Sequence, residues 1–123
     1  MRFVILVKAN ARTEAGGMPH DDTLAAALAD YHAQLAQAGV LLDASGLQPS
    51  SKGWRVSYSG GRRTLTDGPF ADSGELIAGY TLIQVHSRDE ALEWTRRFPA
   101  PMGTLADGEI EVRPLVERAL GED

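Results

Sequence analysis

Side chains able to move a proton near neutral pH are few: His20, His32 and His86 are the only histidines, and the chain has no cysteine. An imidazole titrates close to neutrality and suits a general base. The lack of cysteine removes thiolate nucleophiles, disulfides and Cys-ligated metals. His32 follows Tyr31 and precedes Leu35 by three residues, so on a helix its ring emerges at the border of an apolar stripe. There it is either a general base or a half-exposed ring with its edge packed against a sheet. Asp67 can orient such a base by accepting its other ring proton. Equally, an Asp before Gly68-Pro69 can cap its own turn.

Arg113 alternates with Val112 on a strand-like segment, and a guanidinium sheltered in a cavity needs an anion. That anion is either a substrate carboxylate or phenolate, or Glu111 two residues away on the same face. Tyr80 and Gln84 also share a face, from which they either hydrogen-bond a ligand or pack an interface. His20 stands beside Asp21 and Asp22, but the spacing matches no metal-ligand pattern, so no metal is expected. Gly60-Gly61 joins two strand-like segments and offers no helix N-terminus to a phosphate. No cofactor is expected.

The elements that must position these residues read in order along the chain. Arg2 to Ala9 is a compact Val- and Ile-rich run, expected to be a strand buried on both faces. Asn10 to Asp22 carries Gly16-Gly17 and Met18-Pro19 and reads as a mobile loop able to act as a lid. Asp21 or Asp22 caps a helix whose stripe is Leu24, Leu28, Tyr31, Leu35 and Ala38, closed by Gly39. A second strand begins at Val40 and runs toward Leu47. Trp54 to Tyr58 and Arg63 to Thr66 flank Ser59-Gly60-Gly61 as a β-hairpin, which Asp67-Gly68-Pro69-Phe70 ends.

Gly79 to His86 reads as another strand, and Ser87 with Glu90 forms a capping box for a second helix. Its buried stripe is Ala91, Leu92, Trp94, Thr95 and Phe98, stopped by Pro99 and Pro101. Glu109 to Pro114 alternates as a last strand, with Ile110 and Val112 opposite Glu109, Glu111 and Arg113.

A chain of 123 residues, 43% apolar and 24% charged, suits one folded domain and is not disordered. We read residues 1–123 as that domain, with the hairpin inserted at about 54–66 and a flexible tail over about 116–123. The net charge of −5 opposes phosphate backbones and anionic membranes, so no nucleic acid or membrane partner is expected. The N-terminal apolar run is too short for a signal peptide or a span, and the expected location is cytoplasmic.

Without the hairpin the order is βαββαβ, a ferredoxin-like α+β fold with both helices on one sheet face. The other face carries one set from Tyr80, Leu82, Gln84 and His86 near Glu109, Glu111 and Arg113. A solvent face would not hold Tyr and Leu, and a dry interface would not hold three unpartnered charges. A second copy closing over this face around a polar cavity, a homodimeric α+β barrel, satisfies both constraints.

Asp67-Gly68-Pro69-Phe70, Gly79-Tyr80, Asp89 to Trp94, Pro99 and Ile110 to Pro114 together resemble the DGPF branch of the YCII-related proteins. Ala38 to Leu41 and Gly46 to Pro49 extend that resemblance through the first half. It implies the same fold and face-to-face dimer. The wider group includes a dehydrochlorinase acting on a chlorinated hydroxyquinol and is associated with a His and Asp pair. Some branch members are encoded beside, or fused to, extracytoplasmic-function sigma factors. The chain departs from the branch at Ala71 to Glu75, which lacks the usual Lys, and at Ser45, where an acid often stands before Gly-Leu.

Two functions follow as expectations, beside a purely structural dimer whose charged cavity is filled by its own salt bridges. One is a cofactor-independent enzyme for a small anionic or phenolic molecule, performing proton transfer with elimination or isomerisation. In it His32 is the base, Asp67 its orienter and Arg113 the anion holder, with Tyr80, Gln84 and Glu111 lining the site. The other is a non-catalytic ligand-binding or regulatory module with a sigma factor as partner.

Overall fold

The computed structural model describes residues 1–16, 22–71, 75–102 and 107–117. Its elements are β1 (Arg2–Lys8), α1 (Ala11–Gly16), α2 (Asp22–Gln37), β2 (Leu41–Gly46), a 3-10 turn (Ser50–Lys52), β3 (Trp54–Ser59), β4 (Arg62–Asp67), β5 (Ile77–Gln84), α3 (Arg88–Arg96) and β6 (Ile110–Pro114). Four strands form a sheet in the order β2-β5-β1-β6, and every neighbouring pair is antiparallel. This is a mixed α+β architecture consistent with the expected ferredoxin-like arrangement, and β3 and β4 form a separate two-stranded ribbon.

Alternation along the strands divides the sheet into two unlike faces. Phe3, Ile5, Ile83 and Val85 are buried with Tyr31 and Leu35 of α2, Val40 and Ala91 of α3, and Ile110 and Val112 pack against them. A smaller cluster of Val7, Ala9, Ala78 and Met102 adjoins Ile110 at the other end of the sheet. The register places Leu6, Tyr80 and Glu111 in one row of the opposite face, and Val4, Leu82 and Arg113 in the next. In β1, Arg2, Val4, Leu6 and Lys8 are only half-buried, so the strand is not covered on both faces as expected. The physical reason is that one chain supplies helices for one face only.

Local chemistry explains the element ends. Gly39, at φ +74°, lets its N–H reach Ala36 O while Val40 N–H reaches Leu35 O, each at 3.0 Å, the Schellman closure of α2. Ala38, expected on the buried stripe, is exposed beside this turn, whereas Leu24, Leu28, Tyr31 and Leu35 face inward. In α3, Ser87 Oγ accepts from Glu90 N–H at 3.1 Å and Glu90 Oε1 accepts from His86 N–H at 2.8 Å. Leu92 lies at the exposed edge of its stripe.

The first turns of the expected lid are a helix instead. Asn10 Oδ1 accepts from Thr13 N–H at 2.9 Å, and Thr13 Oγ1 accepts from Asn10 N–H at 2.8 Å. These reciprocal bonds satisfy the N-terminal donors that nucleate α1. The remainder of the expected lid, with Met18-Pro19 and His20, lies outside the described residues.

Candidate active site

Tyr31 and His32 are adjacent on α2, and the first sets the direction of the second. Tyr31 Oη–H donates to the Trp94 carbonyl at 2.8 Å, and its ring packs edge-on against Trp94 and Phe98 at 6.4 and 5.1 Å between centroids. Burial raises the Tyr31 phenol to about 12, which keeps it a neutral donor. With α2 held in rotation this way, the next residue turns toward β5. His32 Nε2 lies 2.9 Å from Thr81 Oγ1, a buried side chain on the helix-covered face of the sheet. Partial burial lowers the His32 pKa from its ordinary value, because the charged imidazolium loses water there.

A cleft of about 280 Å³ opens at this point between α2 and the sheet. Gly46 and Gly79 pair directly across β2 and β5, with Ala44 opposite Thr81 two positions along on the same face. The floor therefore bears hydrogens and one methyl where other strands carry side chains. Leu28 and His32 roof it, Val7, Ala78 and Phe98 close it, and Ser45, Tyr80 and Thr81 add polar groups. Of the site residues singled out from the sequence, His32 and Tyr80 border this cleft; Thr81, Ser45 and the glycine pair are not among them. Gly inside a strand often marks a close approach or a space kept open, and that was the available signal at Gly46 and Gly79.

The other expected site residues stand elsewhere. Glu111 lies between Arg113 at 3.2 Å and Lys8 at 3.6 Å on the uncovered sheet face. The Arg113 hydrogen bond, then the charge of Lys8, hold the Glu111 carboxyl below its usual range. Tyr80 Oη donates to Asp43 Oδ2 at 2.7 Å, and that bond raises the phenol's pKa. Gln84 is exposed at the end of β5, opposite Arg2. The Tyr80 phenol thus belongs to the uncovered face although the residue borders the cleft, whereas Arg113, Glu111 and Gln84 do not line the cleft.

Asp67 ends β4 opposite Trp54 and does not line the cleft either. The turn it opens is a structural seat. Gly68 N–H donates to Gly53 O, Phe70 N–H donates to Ser50 Oγ, each at 3.0 Å, and Ser50 Oγ–H donates to Glu14. Arg55 lies 3.9 Å over the Phe70 ring. Together these contacts tie the base of the β3–β4 ribbon to α1 and the 3-10 turn.

Comparison with known sequences adds the family. The sequence matches the YCII-related domain over residues 1–118. The chain belongs to the YCII-related family. It is similar to the Rhizobium meliloti (strain 1021) protein named Uncharacterized protein R00369, with 31% identity over 110 residues, 89% of this chain and 87% of that protein. A YCII-related chain with this relative carries no assigned reaction from the comparison. Among the described residues, no three His, Asp or Glu side chains stand together as a metal site, and no helix is long and apolar enough to cross a membrane.

Proposed function

We propose that the cleft beneath α2 binds a small hydroxylated or carboxylated ring and that His32 moves its proton without a cofactor. The observation that carries this reading is His32 itself, bonded to Thr81 at the wall of a preformed space. Ligand clefts run upward from about 300 Å³, and a cavity of about 150 Å³ already admits benzene, so the space suits one substituted ring. Because burial lowers the pKa, the imidazole is neutral at pH 7. In the tautomer whose Nε2–H donates to Thr81 Oγ1, Nδ1 is the basic nitrogen. It takes one proton from the substrate, the leaving group departs with its bonding electron pair, and the product gains one double bond. Isomerisation differs only in that the proton returns to another atom.

Two copies closing over the uncovered sheet face belong to the same proposal. Val4, Leu6 and Leu82 on that face are half-buried, and Glu111 pairs with both Arg113 and Lys8 there, which leaves one net positive charge. Such paired charges tolerate shelter better than lone ones. In this dimer Arg113, Tyr80 and Gln84 line the shared space, and the chain belongs to the DGPF branch of its family.

The test is chloride release from a chlorinated hydroxyquinol by the wild type and by His32→Ala. General-base removal is expected to slow turnover by about 10²-fold or more. Equal rates in the two proteins would remove His32 from the chemistry. One observation favours a second reading, a non-catalytic binding module with a sigma factor as partner. Among the described residues that line the cleft, no carboxylate stands to orient the imidazole. Saturable binding without turnover is the result expected of that module.

A further inference from the structure

Helix α3 turns two unlike sides to the protein. Trp94 and Phe98 pack edge-on against Tyr31 of α2, with ring centroids 6.4 and 5.1 Å away. Arg88, Ala91, Leu92 and Thr95 recur at spacings of three and four and form a second stripe, on the side of β6. Because the large rings lean toward α2, this stripe offers the sheet little bulk. The space left over Phe3, Val112 and Pro114 is a slot of about 240 Å³. Phe3 faces Pro114 across the β1–β6 ladder, and Val112 stands two positions along on the same face. Ala91 and Phe3 are 2% and 5% exposed, so the slot is sunk into the edge of the core, while Leu92, at 36%, forms its lip. It shares no lining residue with the His32 cleft.

The lining is mostly apolar, and no carboxylate among the described residues borders it. Arg88 is the charged side chain at the slot, and among the described residues it makes no ion pair, hydrogen bond or ring contact. Its helix supplies no acid to it. Ala91 and Leu92 occupy the positions three and four residues on, and Asp89, one residue on, does not face it. Glu90 accepts from His86 N–H at 2.8 Å, and Glu93 pairs with Arg96 at 3.6 Å. At the other end of the stripe, Thr95 Oγ1 donates to Leu92 O at 3.1 Å, so that end is uncharged.

A single guanidinium balances one negative charge, and its fork matches a carboxylate. Arg88 and Thr95 are seven residues apart, about 10 Å along the helix. A cavity of about 150 Å³ already admits benzene, so this slot holds an apolar body of about six to eight carbons. We infer that the slot between α3 and β6 is a second binding site, for a small monocarboxylate whose head pairs with Arg88 and whose apolar body lies over Phe3 and Val112, under Leu92. This goes beyond the His32 reading and stands or falls without it.

The probe is octanoate, with 1-octanol as its neutral counterpart, each titrated into the protein and followed by amide chemical shifts. Octanoate is expected to saturate with a dissociation constant of about 1 mM or below, shifting Phe3, Ala91, Leu92 and Val112. Octanol is expected to bind at least about fivefold more weakly, the share of the charged contact. Arg88→Gln, at an exposed position, should erase that difference, and Arg88→Lys should restore most of it. Leu92→Glu sets a carboxylate on the lip and should weaken octanoate by about fivefold or more. Melting temperatures close to the wild type verify that the variants fold.

Octanol binding as tightly as octanoate, or Arg88→Gln binding octanoate like the wild type, overturns the inference. So does the absence of saturation up to about 20 mM, well above the affinity expected of a ligand of this size. Shifts confined to Val7, Ala78 and Thr81 would put the carboxylate in the His32 cleft, which ends the second site and leaves the reading of that cleft untouched. Slot shifts that follow protein concentration with no octanoate present would assign the slot to a second copy and refute the ligand.

Discussion

Gly46 and Gly79 stand directly opposite each other across β2 and β5, and the space above them is the floor of the His32 cleft. The two glycines differ in what a side chain would meet. A Cβ on Gly46 has nothing within 4 Å, whereas one on Gly79 lies 3.1 Å from Ser45 O and 3.4 Å from Gly46 Cα. Gly46→Val is therefore expected to keep or slightly raise the melting temperature, since β-branched residues suit strands. Binding of a single-ring ligand in the cleft should fall by at least about tenfold, as a side chain overfills the space. Gly79→Ala is expected to lose about 1 kcal/mol or more from crowding. Thermal unfolding with ligand titration separates the two.

His32 sets a pH dependence whose sign follows from its environment. Its folded pKa is depressed, so below about pH 6.5 the unfolded chain takes up a proton that the folded chain resists. Stability should fall as pH drops through that window and level off once the folded form also protonates. Glu111 and Glu117 have carboxyls held low by their arginine partners, and their contribution is lost only as pH falls below about 4.5. Urea unfolding at pH 7 and pH 5 thus isolates the imidazole. The difference is expected to shrink in His32→Gln.

Tyr31 joins α2 to α3 through the Trp94 carbonyl. Tyr31→Phe keeps the ring contacts and removes the donor, at an expected loss of about 1 kcal/mol. The raised phenol also defines an alkaline limit. The unfolded chain ionises near pH 10 and the folded chain near 12, so stability present below pH 10 is lost as pH rises toward 12. Chemical denaturation at pH 9 and pH 11 should show this fall in the wild type and a smaller one in the Phe variant.

Gly68 sits where backbone meets backbone. A Cβ there would lie 1.9 Å from Ser50 O and 2.7 Å from Ser50 C, neither of which is free to swing away. Gly68→Ala should separate the ribbon from the 3-10 turn and lower stability by about 1–3 kcal/mol. Amide exchange in β3 and β4 is expected to accelerate more than in β1 and β5. Equal protection of the ribbon in variant and wild type would refute the seating role of this turn.

The core offers a reference for these effects. Leu35 is fully buried between α2 and the sheet, and Leu35→Ala is expected to cost about 2–5 kcal/mol with no change in the pH dependence attributed to His32. Urea midpoints at pH 7 and pH 5 check both parts.

Much was written in local patterns that need no partner. The period of Tyr31 and Leu35, the glycine at 39, the Ser87 and Glu90 box and the Gly60-Gly61 turn each act through neighbouring backbone or the next helical turn. They define α2, α3 and the hairpin without any tertiary contact. The Asn10 and Thr13 reciprocal cap is equally local, but Gly16-Gly17 and Met18-Pro19 close behind it carry the sequence pattern of a loop.

What tertiary structure alone decided is which of these elements share a space. His32 meets Thr81 across 49 positions of chain, and Gly46 meets Gly79 only because β2 and β5 pair. Arg113 and Asp67 have suitable chemistry but alternate onto the other sheet face and onto the ribbon. Periodicity tells on which side of its own element a residue lies, because backbone geometry sets that. Which sides are brought together depends on long-range burial and pairing, to which many distant residues contribute and which no short window of sequence contains.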